Sequence, residues 1–388
     1  MTDCQLSETD KMFAALLFFA SLVNAATYYA TTSPGSGATC SQAKPCAVSA
    51  LPSLYGTSDV VVFLPGTGVY TFTKTLTNPS LVISSGCIFN GATLNSVKAN
   101  SVTCNDTIFR ASSSFQMLSA TNVQMSRVSF VKTQFVLVPL NSVDTRLIVA
   151  VLEDITVTDL TAAQRFQVAG ADITINRMNI SNSVTSQAGG LLQIQSTNAD
   201  AIIHANYIRF TNCWTSSATS VSSVKSFNGE EFTLVLNEWT YDNCTSSQAF
   251  LEMSNTYVPT VFYAGVDAVG FHAIGGSVGM GLIYLNNAAP SSSLSMNLQL
   301  MRADNVNFNN GPAFTLNTGS GTVAMQGLTN DNQICTPTNL ADLAVCTGIV
   351  NSTTFTYSGA DDGATTYATC PNTYVRTHTG CFSSTTTF

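Results

Sequence analysis

The sequence predicts an all-β chain: a single-stranded, right-handed parallel β-helix (β-solenoid) with three short strands per coil and disulfide-bearing caps. Three observations carry this. A phrase of the form apolar–any–apolar–any–Asn recurs through the middle of the chain, and its copies and looser relatives are spaced by 27, 23, 30, 31, 30 and 37 residues. Two further alternating apolar runs follow most copies. No stretch after residue 26 shows helical periodicity. One such unit cannot bury its own apolar face, whereas stacked units share a continuous core.

Residues 1–25 read as a leader and signal peptide. Phe13–Val23 (FAALLFFASLV) is apolar, Lys11 precedes it, and Asn24-Ala25-Ala26 offers small residues for cleavage. That run is too short to span a bilayer. Met1–Lys11 is acid-rich, so Met12 is an alternative start. The chain is therefore expected to be secreted, extracellular or at a cell surface or wall, with no membrane span once the signal is removed.

Residues 26–59, with Pro34-Gly35 and the Cys40/Cys46 pair, are expected to cap the N-terminal end. Residues 60–330 form the β-helix. Its phrase copies are Met178–Asn182, Ile208–Asn212, Trp239–Asn243 and Val306–Asn310, with looser ones at Val128–Phe130, Ile155–Asp159 and Val269–Phe271. The second run of a coil is seen in Leu191–Ile194 and Phe250–Met253, the third in Phe232–Leu236 and Met296–Leu300. Alternation sends one residue inward and the next outward. By that parity Phe130, Phe210, Trp239, Tyr241, Phe271 and Phe308 are core rather than an exposed stripe. An antiparallel sandwich would also use short strands and polar turns, but would not return one phrase to one coil position. Residues 331–388 lose the repeat and are expected to form a disulfide-rich C-terminal cap and tail.

Cysteine usage fits secretion. Beyond Cys4 in the leader, ten remain, as sequence neighbours: Cys40/Cys46, Cys87/Cys104, Cys213/Cys244, Cys335/Cys346 and Cys370/Cys381. An even count in a secreted chain predicts disulfides. Cys213 and Cys244 both directly follow a phrase Asn. They should therefore meet in adjacent coils, about 4.8 Å apart, within reach of a bond along the solenoid axis. Glycosylation sequons begin at Asn105, Asn179, Asn243 and Asn351. Asn105, Asn179 and Asn351 are the expected acceptors. Asn243, in line with inward Trp239 and Tyr241, is expected to stack on Asn212 and stay bare.

Only 9% of residues are charged and the formal net charge is −8. No basic cluster exists, which excludes a nucleic-acid surface. No cysteine or histidine spacing suits a metal, and no phosphate loop or nucleophile elbow is present, so neither metal nor cofactor is expected.

The layout resembles the pectin-lyase-like superfamily of right-handed β-helices. The opening (Tyr28-Tyr29 … Ser33-Pro34-Gly35 … Cys40 … Pro45-Cys46) and the phrases Gly189-Gly190-Leu191-Leu192 and Phe308-Asn309-Asn310-Gly311-Pro312-Ala313-Phe314 are similar to degenerate polymorphic-outer-membrane-protein-type repeats. The resemblance covers roughly residues 60–330. It implies the fold, and it admits both enzymes and adhesins. The superfamily's hydrolases use clustered aspartates with Gly-His-Gly and Arg-x-Lys; this chain has no Gly-His-Gly and no Arg-Ile-Lys.

Aligning the phrases stacks Arg127, Asp154 and Arg177 as a surface ladder of alternating sign. It also places Asp242 beside His272 with Glu238 nearby, the best acid/base candidates in the chain. Tyr207, Tyr263 and Tyr284 are the candidates for exposed ligand contact. The expected function is a non-catalytic, glycosylated attachment protein. Its partners would be extracellular glycans, wall or surface proteins, or further copies of itself, held through many weak contacts. The competing expectation is an extracellular polysaccharide lyase or glycoside hydrolase with an atypical site.

Overall fold

A computed structural model describes residues 25–330 apart from 33–38, 53–54, 57, 66–69, 71–79, 91–92, 98–100, 111–113, 119–121, 139–148, 197–200, 216–218, 227–230, 256–262, 280, 287–292, 300–301, 305, 308–313, 318–319 and 327–328; beyond these it describes 348–351, 354–358, 374–377 and 380–384. The strands stack into two parallel sheets, one of 20 strands and one of 12. The single antiparallel pairing among the described strands is Tyr374–Thr377 with Gly380–Ser384.

The larger sheet contributes two sides of each coil. Its first side runs from Thr27–Ala30 through Val60–Phe63, Ser80–Ile83, Ser101–Asn105 and Asn122–Ser126. It continues in the first halves of Val149–Thr158, Asp172–Ser181, Ala201–Thr211, Glu231–Ser246 and Tyr263–Val278. The second side begins at Ile88–Asn90, Ile108–Arg110 and Ser129–Val131 and then uses the second halves of the same long strands. The smaller sheet forms the third side, from Thr93–Val97 to Gly380–Ser384. Stacking thus begins at residue 27 and continues past residue 330, in Gly348–Asn351 and Thr354–Ser358.

Two rows of left-handed residues make the corners. Between the first and second sides stand Asp106, Arg127, Asp154, Arg177, Tyr207 and Glu238, with φ between +44° and +60°, and then Gly270 at +74°. After the second side stand Lys132, Asp159, Asn182, Asn212 and Asn243, with φ between +49° and +57°, and then Gly275 at +62°. Asn, Asp and Gly tolerate this conformation best, which is why the repeated phrase ends in Asn. Corner N–H groups reach into the next coil: Asn212 N donates to Asp242 O at 2.9 Å and Arg127 N to Glu153 O at 2.9 Å.

Strand register corrects two phrase assignments. Trp239 pairs with Phe271 and Tyr241 with Ala273, so the true copy is Phe271-His272-Ala273-Ile274-Gly275, two residues later than Val269–Phe271. Asn307 bridges Ser277, and Arg302–Asp304 pairs with His272–Ile274, so Arg302–Asp304 rather than Val306–Asn310 stands in register with that copy. Gly275 stands for Asn at this corner and Ala273 for an aromatic inside, so the phrase is hidden there. With register fixed, successive coils from Val61 to Val323 are 20, 21, 21, 27, 23, 30, 31, 32, 30 and 27 residues long. The longer coils gain a short fourth segment after the Asn corner, pairing Val184-Thr185 with Trp214-Thr215 and then Thr245 with Ser277.

The core holds two blocks of stacked rings. Phe63, Tyr70, Phe89, Phe109, Phe130, Phe135 and Phe166 form one; Phe109 and Phe130 lie 5.1 Å apart at 8°. Phe210, Trp239, Tyr241, Phe250 and Phe271 form the other, with Phe210 and Tyr241 at 4.7 Å and 7°. Aliphatic Val157 and Ile180 occupy the coils between them. The inward parity of Phe130, Phe210, Trp239, Tyr241 and Phe271 is thus observed; Phe308 lies outside the described residues.

At the N-terminal end Cys40–Cys46 is a disulfide with Cα atoms 4.6 Å apart. Cys46 N donates to Tyr29 O at 3.0 Å, and the Asp59 carboxylate accepts from Ala26 N and Gly56 N at 2.9 and 2.8 Å. Cys87, Cys104, Cys213 and Cys244 are buried thiols, not the cystines expected. The corner geometry gives two of them a local role. The residue after a corner faces inward and caps the carbonyl two positions back: Thr107 to Asn105 O, Thr133 to Val131 O and Ser183 to Ser181 O, at 2.8 to 3.0 Å. Cys213 and Cys244 do the same with sulfur, to Thr211 O at 3.5 Å and Asp242 O at 3.6 Å. They stand in the same position of adjacent coils, as expected. Cys335, Cys346 and Cys370 lie outside the described residues, and Cys381 falls in Gly380–Ser384.

Candidate functional site

The outward surface of the second side collects most of the chemically interesting residues. Every second side chain of a strand faces out, and corner residues project further because a left-handed residue bends the strand there. Along the first corner the signs alternate: Asp106, Arg127, Asp154, Arg177. Arg127 forms an ion pair with Asp106, and its Nη2 donates to Asp106 Oδ2 at 3.0 Å; Arg177 Nη2 donates to Asp154 Oδ2 at 3.0 Å. The hydrogen bonds from these guanidinium groups hold both carboxyls below the usual aspartate range, and raise the arginines in turn. The sequence-derived ladder is therefore present and one coil longer than expected. Its pairs are solvent-exposed, so screening leaves each of them weak.

The candidate acid/base group does not assemble as expected. Asp242 pairs in register with Ile274, while His272 pairs with Thr240 and Arg302, one two-residue step along the strand. Asp242 instead accepts from Arg209 Nη2 at 2.8 Å. Glu238 occupies a corner, its carboxylate lying over Gly270, where an added Cβ would sit 2.7 Å from Oε1. The physical reason is the register correction above: aligning His272 with Asp242 required the false copy Val269–Phe271. Among the described residues no group of three or more His, Cys, Asp or Glu could hold a metal ion.

The three candidate tyrosines are not brought together. Tyr207 is a corner residue with 58% of its surface exposed. Tyr263 begins the strand Tyr263–Val278, pairing with Glu231 and Ser293. Tyr284 is half-buried on the third side, beside Glu252. Tyr207 lines a surface groove of 330 Å³ with Asp154, Thr156, Arg177, Asn179 and Arg209.

A second groove, of 430 Å³, was missed from sequence. It is lined by Asn212, Cys213, Trp214, Asn243 and Thr245, and Trp214 is 48% exposed. The signal was available: Trp214 is two residues past the phrase Asn, and with Cys213 inward the next residue must face out. Asn243 lines this groove and is exposed, contrary to its expected inward orientation, because a left-handed corner turns the side chain outward. Its expected stacking does occur: Asn243 Nδ2 donates to Asn212 Oδ1 at 2.8 Å, and Asn212 Nδ2 to Asn182 Oδ1 at 3.3 Å. Asn179 is exposed, as expected; Asn105 is half-buried at the end of its strand, and Asn351 ends Gly348–Asn351.

No protein-family model, curated protein or solved structure matches this chain. Among the described residues no helix is long and apolar enough to cross a membrane.

Proposed function

We propose that the chain is a secreted, non-catalytic glycoprotein of the pectin-lyase-like β-helix type that works in surface, wall or matrix attachment. Its contacts would be weak and repeated, made with extracellular glycans, wall proteins or other copies along the solenoid side. One observation carries this reading. Three outward aspartates of this surface, Asp106, Asp154 and Asp242, are each matched to an arginine of a neighbouring coil. Acid/base catalysis needs two groups within reach of one substrate, and carbohydrate-cleaving sites gather their carboxylates. Here these three carboxylates are neutralised in pairs along a long polar face. Such a face offers many similar contacts at intervals of about 4.8 Å, which suits avidity rather than one deep pocket.

The test sets binding beside turnover. The mature chain is immobilised and challenged with extracellular polysaccharides, and the same preparations are assayed for reducing or unsaturated ends. Retention without release is expected, unchanged by Asp242→Asn with His272→Ala. Sugar release that the double variant abolishes would establish the lyase or hydrolase alternative.

A further inference from the structure

Four large apolar side chains are exposed among the described residues: Ile108, Ile202, Tyr207 and Trp214. The two aromatic ones share a neighbour of one kind. Tyr207 lines its groove with Asn179, and Trp214 lines its groove with Asn243. Both asparagines are exposed and both begin sequons, Asn179-Ile180-Ser181 and Asn243-Cys244-Thr245. In each case ring and amide sit in adjacent coils, two residues apart in register. Asn179 pairs with Arg209, two past Tyr207; Asn243 aligns with Asn212, two before Trp214. One strand spacing and one two-residue step make a diagonal of about 8 Å. An asparagine side chain and one sugar ring span that gap.

We infer that these two rings are seats for the chain's own N-linked sugars, Tyr207 beneath a glycan on Asn179 and Trp214 beneath a glycan on Asn243. The inference rests on the proposed secretion. The donor is a lipid-pyrophosphate oligosaccharide of the secretory route. Asparagine Nδ2 forms a bond to the anomeric carbon of the first sugar, the lipid pyrophosphate leaves with the bonding electrons, and Nδ2 loses one of its two protons. The remaining N–H on Asn243 still donates to Asn212 Oδ1, so the amide ladder survives modification. The C–H face of the first sugar then covers the indole or phenol ring and removes apolar surface from water. Among the described residues the lining of the Trp214 groove carries no charged side chain, which suits a neutral sugar. Thr245, the sequon hydroxyl, is exposed in the same groove. On this account the two aromatics cover the protein's own modification rather than a foreign ligand, and Asn243 joins Asn179 as an acceptor.

The experiment expresses the full chain in a glycosylating eukaryotic host and maps glycopeptides from the medium. Both Asn179 and Asn243 are expected to be occupied in more than half of the molecules. The folded glycoprotein is then treated with a peptide-N-glycosidase. Acrylamide quenching of Trp214 should rise at least twofold while buried Trp239 stays shielded, and nitration of Tyr207 by tetranitromethane should rise several-fold. Asn243→Gln should reproduce the Trp214 change without altering Tyr207. Occupancy at Asn179 with a bare Asn243 overturns the Trp214 seat. Occupied sites with unchanged quenching and nitration overturn both seats. A chain recovered from the medium without glycan at either position refutes the inference while leaving secretion standing; a chain retained unmodified in the cytosol defeats both.

Discussion

Tyr241 ties the second side of its coil to the third across the core, and a double-mutant cycle can measure that tie. Its ring is fully buried between Phe210, Phe250 and Phe271, and its hydroxyl lies 2.6 Å from Ser222 Oγ, which also donates to Phe250 O at 3.0 Å. Ser222 therefore accepts from Tyr241 while donating elsewhere. Tyr241→Phe removes one buried hydrogen bond and leaves Ser222 still donating, a cost of about 1 kcal/mol. Ser222→Ala strands the Tyr241 O–H in the core and costs about 1–3 kcal/mol. In the double variant the stranded donor is gone, so the total should fall short of the sum by about 1 kcal/mol. Burial raises the Tyr241 phenol well above its ordinary pKa, so it stays protonated and the coupling should be constant from about pH 5 to 9. The assay is urea unfolding by indole fluorescence in a Trp214→Phe background, where Trp239 is the sole indole. Trp239 sits in the same strand as Tyr241, with Nε1 donating to Ala205 O at 2.8 Å. Additivity to within about 0.3 kcal/mol would show that the short contact contributes nothing specific.

Other expected outcomes follow from the corners and the thiols. Gly275 and Gly276 both have positive φ, but a Cβ on Gly275 meets nothing whereas one on Gly276 would lie 1.9 Å from Cys244 O; Gly275→Ala should cost about 1 kcal/mol and Gly276→Ala about 1–3 kcal/mol more, read by denaturant midpoint. Glu238→Gly relieves a left-handed residue at an exposed corner and should stabilise by up to about 1 kcal/mol after the added chain entropy of glycine; a lowered midpoint would mean that the Glu238 side chain matters more than its backbone. Burial pushes the Cys87 and Cys104 thiols up to about 11 and about 12, so the unfolded chain ionises them from about pH 9 while the folded chain does not, and stability should fall as pH rises above 9. Cys87→Ala with Cys104→Ala should flatten that alkaline slope, and an unchanged slope would assign it to other groups.

Fold class was legible because inward parity is a local property: Ile180, Phe210 and Tyr241 alternate with polar residues whatever happens elsewhere. The charge ladder was legible for the same reason, since Arg127, Asp154 and Arg177 each directly precede a copy whose two apolar residues are both in place. What failed was register where the phrase decays. Ala273 and Gly275 carry the backbone requirement of the repeat without its side-chain cue, while the neighbouring Val269-Gly270-Phe271 carries the cue without the register, which sets His272 against Asp242 in sequence but against Thr240 in the fold. Asn243 failed differently. Period-two alternation counts through a strand, but a left-handed residue breaks the count, and the phrase Asn is itself that residue. Trp214 was readable from its position but not singled out, and its groove depends on Asn243, which alternation had turned the wrong way.

Coil length has a consequence for how copies of this chain could join. From Val61 to Val123 each coil takes 20 or 21 residues, and from Ile173 to Met296 each takes 30 to 32, the increase including a short fourth segment that begins at Val184-Thr185. The rod is therefore tapered, and its two directions are not interchangeable. A narrow coil laid on a wide one leaves the strand edges of the fourth segment with nothing to pair, so their backbone N–H and C=O groups find no partner in the joint. End-to-end stacking of a narrow coil on one of these wide coils is therefore opposed by outline. Lateral contact along the sides carries no such penalty, so association of this molecule with itself or with a surface would run broadside to its axis.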